Sequence, residues 1–104
     1  MKQDAQYPDP AVVASDVYKL ILENDRVRLF NVEFKPGQKA VMHRHPDHVV
    51  YVLKGGTNHL AFPDGQTLDA DLKPGQALFL PAGPHETTNI GNTDVNLLVF
   101  ELKE

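Results

Sequence analysis

Short apolar runs alternate with turn-forming clusters along almost the whole chain. Val17–Leu22, Val27–Phe34, Ala40–Arg44, Val49–Lys54, Thr57–Phe62, Gln66–Leu72, Ala77–Leu80, Glu86–Ile90 and Val95–Leu102 read as strands. Between them lie Glu23-Asn24-Asp25, Pro36-Gly37, Gly55-Gly56, Pro63-Asp64-Gly65, Pro74-Gly75, Pro81-Ala82-Gly83-Pro84 and Gly91-Asn92-Thr93-Asp94. In such clusters proline presets φ at the first central position, and glycine accepts a positive φ at the second. Gly55-Gly56 reads as a hairpin turn. Short strands at regular spacing, punctuated this way, predict an all-β sandwich or barrel. Only Pro10–Leu22 is long enough to compete as a helix, and Val12, Val13, Val17 and Ile21 make it a poor one. The first ten residues carry two prolines and many polar groups and read as an extended arm. The expected division is an extended arm over 1–14 and one barrel domain over 15–104.

A short repeat adds symmetry to this picture. Lys35-Pro36-Gly37-Gln38 recurs as Lys73-Pro74-Gly75-Gln76, an offset of 38 residues, and each copy leads through an apolar strand toward histidine. Two similar halves of a small β domain suggest a closed structure with approximate two-fold symmetry.

Composition then bounds the function. A chain of 104 residues, 41% apolar and 23% charged, has room for one core and is ordinary for a globular protein. The absence of cysteine excludes disulfides, thiolate metal sites, Fe–S clusters and cysteine nucleophiles. A net charge of −4 without a basic run argues against nucleic acid as a partner. The longest apolar runs, four or five residues, are far short of a membrane span. The N-terminal decapeptide has no apolar h-region, which points to the cytoplasm, although a trimmed signal is compatible with the same sequence.

Histidine carries the candidate chemistry. His43 and His45 stand two apart, so on a strand both rings share one face and can converge on one metal ion. His48 follows after Pro46, and His85 follows the Pro81-Ala82-Gly83-Pro84 turn. His59 falls on the opposite face of its strand from Leu60 and Phe62 and is not expected to be a ligand. Alternation places Val41 inward with His43 and His45, and Met42 and Arg44 outward. It places Val50 and Val52 inward with His48, with Tyr51 on the other face, and Thr87 and Asn89 inward with His85. The implied pocket is a set of imidazoles in an apolar wall, suited to a small, mostly apolar molecule. Glu86, Asp47 and Glu101 are the carboxylates near these motifs, and Glu86 points away from the ligand face. No paired carboxylates, Ser–His–acid arrangement or phosphate loop is readable.

The segment Gly37-Gln38-Lys39-Ala40-Val41-Met42-His43-Arg44-His45 resembles the first motif of the cupin superfamily, a glycine, five residues and then HxH. Val49–Lys54 and Gly55 resemble the strand that closes that motif. Gly75, Pro81-Ala82-Gly83, His85 and Asn89 resemble the second motif. The resemblance covers roughly Val27 to Leu102. It implies a double-stranded β-helix, the jelly-roll barrel of a small single-domain cupin, often a homodimer, with one metal in the barrel. The implied ligands are His43, His45, His48 and His85. Two departures stand out. His48 occupies the position where many cupins carry a glutamate, seven residues before Gly55, after a loop one residue short. One residue, Pro84, separates Gly83 from His85, where two are commoner.

A three- or four-histidine site suits Fe, Mn, Ni, Zn, Co or Cu, one per chain, and disfavours Mg and Ca. Replacing glutamate by histidine removes one negative charge and makes the ion a stronger Lewis acid. A three-histidine site leaves positions open for a substrate and dioxygen. The leading expectation is a metal-dependent, dioxygenase-like enzyme acting on a small organic molecule. A metal-dependent isomerase or lyase, and a non-catalytic small-ligand or sugar-binding module, are the alternatives. A barrel whose histidines hold no metal is the plainest reading. The Pro-rich segment Tyr7 to Pro10, with Tyr51, Val49 and Met42, supplies the expected dimer contact.

Overall fold

The computed structural model describes residues 7–103. Its elements are α1 (Pro10–Val13), β1 (Tyr18–Glu23), β2 (Val27–Phe34), β3 (Lys39–His45), β4 (His48–Lys54), β5 (Gly56–Ala61), β6 (Thr67–Leu72), β7 (Ala77–Leu80), β8 (Gly83–Asn89) and β9 (Val95–Leu102). The strands form two antiparallel sheets, in the orders β1-β2-β9-β4-β7 and β3-β8-β5-β6. Leaving out β1, advancing every strand by four turns one sheet order into the other. β2-β9-β4-β7 becomes β6-β5-β8-β3, the pseudo-two-fold pattern of a double-stranded β-helix jelly roll.

The repeated tetrapeptide lies at equivalent places in this symmetry, before β3 and before β7. The two copies form the same turn. Gln38 N donates to Lys35 O at 2.9 Å and Gln76 N to Lys73 O at 3.0 Å. Each glutamine side chain folds back to accept from its lysine N–H, at 3.0 and 3.1 Å. Gly37 and Gly75 both need positive φ, 83° and 86°, which glycine adopts without steric cost.

Inward residues of the two sheets make the core. β2 contributes Phe30, Val32 and Phe34, β4 contributes Val50 and Val52, and β9 contributes Val95, Leu97 and Val99. The inward rows change character toward one end. The row Val52, Val50 finishes at His48, and the row Val95, Leu97, Val99 finishes at Glu101. His48 and Glu101 are cross-strand partners, and His43 pairs with His85 on the other sheet. The register therefore gathers the four buried histidines and Glu101 at the end of the barrel where β3 passes over to β4.

Three local expectations need correction. First, residues 10–13 of the supposed extended arm form a helical turn. Asp9 caps it, accepting from Ala11 N at 2.9 Å, with Pro10 in the first turn. These two signals suffice for one turn, and the β-branched residues that follow do not extend it. Residues 1–6 of that arm lie outside the described residues. Second, Val41 is 46% exposed rather than inward. The β3–β8 register jumps between Ala40 and His43, so a bulge inserts one extra residue and resets the alternation. Third, Gly55-Gly56 is not a hairpin turn, because β4 and β5 belong to different sheets.

Close approach, not turn geometry, explains these glycines. A Cβ on Gly55 would lie 2.3 Å from Leu72 O, and one on Gly56 2.8 Å from Val95 Cγ2. Gly55 meets rigid backbone. Gly55→Ala should therefore destabilise the barrel by about 2–3 kcal/mol through overpacking, read by urea denaturation. Gly56→Ala meets a side chain and should cost less. Equal effects would refute this ordering.

Candidate metal centre

Each histidine owes its position to a local backbone feature. His43 follows the bulge, and its Nδ1 lies 2.6 Å from Val41 O. His45 ends β3, with Nδ1 2.6 Å from Glu101 Oε2. His48 opens β4, with Nδ1 2.8 Å from Pro46 O. His85 is the third residue of β8, opposite His43. The single Pro84 suffices as a spacer because β8 already begins at Gly83, which pairs with His45. All four rings are buried.

A carbonyl or a carboxylate can only accept, so the Nδ1 atoms of His43, His45 and His48 carry the protons. Their Nε2 atoms are bare lone pairs. His43 Nε2 and His45 Nε2 face each other at 3.0 Å, an arrangement of two acceptors that a shared cation relieves. The ring centroids of His43, His45 and His85 are 4.8 to 5.1 Å apart. One nitrogen from each of these three lies within 4.8 Å of the others, so the trio could hold a metal ion. His48 stacks on His45 at 4.3 Å between centroids and stands outside that trio. His59 is away from the cluster, at 2.6 Å from Asp69 on the half-exposed face of its strand.

Electrostatics favour metal ligation over protonation. Burial lowers the pKa of all four histidines, and of His45 and His85 well below the ordinary value. The rings also repel each other's charge; His45 and His85 both feel the neighbouring histidines. A set of neutral imidazoles fits a borderline transition ion and does not fit Mg or Ca.

Behind His45 runs a chain of charge that sequence reading did not join up. Arg28 donates to Glu101 Oε1 from Nε at 3.1 Å and from Nη2 at 2.7 Å. Its Nη1 and Nη2 fork onto Asp9 at 3.0 Å each. Burial raises the Glu101 pKa, with Arg28 opposing. Burial also pushes Asp9 up, but the hydrogen bonds from Arg28 and Ala11 N prevail and lower it. Asp9, which caps α1, is thus tied through Arg28 and Glu101 to the orientation of His45. Such outer partners fix the tautomer and direction of a ligand ring.

Tyr18, at the start of β1, was also missed. Its hydroxyl lies 3.2 Å from His45 Nε2. Burial, reinforced by the charge of Glu101, raises its pKa far above the usual range, so it is a phenol that donates to that lone pair. No signal in the strand Val17–Leu22 marks it, since its partners come from distant strands.

Three of these histidines, His45, His48 and His85, border a cavity of about 300 Å³ whose wall also includes Tyr18, Asn58 and Thr87. Most of the remaining wall is aliphatic, from Val50, Leu60, Leu68, Leu78, Leu80, Leu97 and others. Thr87 and Asn89 face inward from β8, and Glu86 is turned outward toward Lys39, as alternation predicts.

No curated protein matches the sequence. Solved structures do. A cupin domain from Bordetella pertussis Tohama I is 26% identical with a TM-score of 0.78, over 100% of this chain and 99% of that one. The polyketide cyclase RemF from Streptomyces resistomycificus is 29% identical with a TM-score of 0.63, over 84% of this chain and 64% of that one. A cupin superfamily protein from Desulfitobacterium hafniense DCB-2, 23% identical over 85% of this chain and 77% of that one, shares the fold at a TM-score of 0.65. The sequence itself matches the Cupin domain family, Cupin_2, over residues 30–101. The chain belongs to the Cupin domain family.

Proposed function

We propose that this cupin is a metal-dependent, dioxygenase-like enzyme acting on a small, mainly apolar organic molecule. The observation that carries the reading is a cluster of three buried histidines, two of which, His45 and His85, open onto an aliphatic cavity of about 300 Å³. A divalent transition ion held there would supply Lewis acidity and, for a redox-active metal, access to dioxygen chemistry. His43, His45 and His85 would hold it, with His48 as a fourth donor or a neutral base beside it. The aliphatic wall excludes water and binds the body of the substrate. Tyr18 holds a proton next to His45 and can donate it to a substrate oxygen.

A second reading rests on Tyr18 and His48. A fixed donor and a neutral imidazole on one cavity wall suit proton transfer next to a carbonyl, the work of an isomerase, lyase or cyclase. The likeness to the polyketide cyclase RemF supports it.

Metal content separates these enzymes from a ligand-binding barrel. Wild type should carry about one transition ion per chain by plasma mass spectrometry, and His43→Ala and His85→Ala should each lose it. No metal in any of the three, after reconstitution with Mn, Fe, Co, Ni, Cu and Zn, sinks the first reading and leaves the second only in the form that Tyr18 and His48 carry without metal. Oxygen uptake with small carbonyl and aromatic substrates then supports the first, and turnover without oxygen the second.

A further inference from the structure

Asn58 sits within β5 and is 1% exposed, yet neither Oδ1 nor Nδ2 of its amide has a hydrogen-bond partner among the described residues. Its cross-strand partner Asn89 is equally buried and uses every group. Asn89 Nδ2 donates to Phe34 O at 3.1 Å and Thr93 O at 2.8 Å, and Oδ1 accepts from Gly91 N at 2.9 Å. Asn89 therefore ties three segments together. Asn58 ties none, and it lines the cavity. A buried amide left unpaired is costly, and native proteins hold few of them. Here the amide lies at the cavity wall with its donor and its acceptor both unspent.

The register locates this group relative to the histidines. Asn58 lies opposite Asn89, Leu60 opposite Thr87, and His85 is four residues from Asn89 along β8. At about 3.3 Å per residue, the two backbone positions are roughly 13 Å apart. Asn58 and the histidines thus mark opposite ends of the cavity, with Leu60, Leu97 and Val99 along its wall. Asp71 lines the same cavity next to Ala70, the other cross-strand partner of Asn58. Its carboxylate is 72% exposed and paired with Lys73 at 3.0 Å, and no lysine or arginine is among the described residues lining the cavity to receive a ligand carboxylate.

We infer that the cavity recognises an elongated, uncharged molecule whose far end is a primary amide or lactam, paired by two hydrogen bonds to the Asn58 amide. Its body is apolar, and its other end lies at the histidines. This rests on the proposed function only for which end reacts.

Calorimetric titration with 4-phenylbutanamide, its methyl ester counterpart and 4-phenylbutanoate tests the inference. Wild type should bind the amide about tenfold or more tightly than the ester, since the ester lacks the donor and leaves Oδ1 unpaired. The charged acid should bind more weakly still. Asn58→Leu and Asn58→Ser should both lose the preference for the amide. Asn58→Leu should also raise Tm by about 5 °C, because an apolar side chain of similar size removes the unpaired amide. If Asn58→Leu does not fold, Asn58→Ser carries the comparison. Equal binding of amide and ester by wild type, or a preference surviving in Asn58→Ser, overturns the inference. The titrations are run with metal and with chelator. An amide preference in a protein that never binds metal keeps this inference and removes the dioxygenase-like reading. Indifference to the amide in a metal-loaded protein does the reverse.

Discussion

Glu101→Gln should fold and yet bind transition metal about 10- to 100-fold more weakly than wild type. The carboxylate is 2% exposed and divides its oxygens between two donors, Arg28 at Oε1 and His45 Nδ1 at Oε2. Glutamine has one oxygen and one NH2 to place there. Arg28 offers only donors, so the amide oxygen must turn to it. The NH2 then faces His45 Nδ1, which has to become the acceptor. The proton moves to Nε2, the atom that faces His43 Nε2 at 3.0 Å. In that tautomer His45 donates to His43 instead of opposing it, which offsets the loss of the lone pair to which Tyr18 donated. The lone pair needed by a metal is gone. Nitrogen-correlated NMR of the His45 ring reads the tautomer directly, and titration with Zn or Co reads the affinity. Glu101→Ala differs in the other direction. It leaves the partly buried guanidinium with Asp9 alone and should cost about 3 kcal/mol, the lower end for breaking a buried pair. Unchanged metal affinity in Glu101→Gln would show that Glu101 does not orient His45.

The dependence of one ring on Arg28, Glu101 and Asp9 also shows what a sequence can carry. The strands were legible because alternation and turn chemistry act locally. β2, β7 and β9 have the bounds that their apolar runs predict. The histidines were legible because His43 and His45 share one strand and His85 follows the second copy of a repeated turn. What was not legible depends on register between strands far apart in the chain. Glu101 lies 56 residues from His45, and Arg28 lies 73 from Glu101. Nothing near Glu101 in sequence distinguishes it from a surface glutamate at a strand end. The β3 bulge is similar. Its extra residue is visible only against β8, and it turns Val41 outward while leaving Val41 O to fix His43. Gly55 was misread because a turn composition and a close backbone approach use the same residue for different reasons.

In the presence of chelator, stability should fall steeply between pH 7.5 and 5.5. Unfolded, each histidine titrates near pH 6.5. Folded, all four have lowered values, His45 and His85 most, because burial disfavours the charged ring. Between those two values the unfolded chain binds more protons than the native one, so stability drops as pH falls. The effect is absent well above pH 6.5 and grows below it. One unit below 6.5, each ring that stays neutral in the fold costs about 1.4 kcal/mol. His45 and His85 alone then remove about 3 kcal/mol, on the order of 10–20 °C in Tm for a domain of this size. Glu101 acts oppositely, since its raised folded value favours the native state as pH enters the carboxylate range, but that lies below the histidine window. Asp9, whose value is lowered, gives up its contribution only at more acid pH still. Bound metal should steepen the loss, because protons and metal compete for the same nitrogens. Melting curves from pH 7.5 to 5.5, with chelator and with added Zn, separate the two contributions. A Tm independent of pH in chelator would mean that the four rings take up protons in the native barrel as they do in the unfolded chain, and a Tm independent of Zn at pH 7.5 would mean that no ion stabilises it.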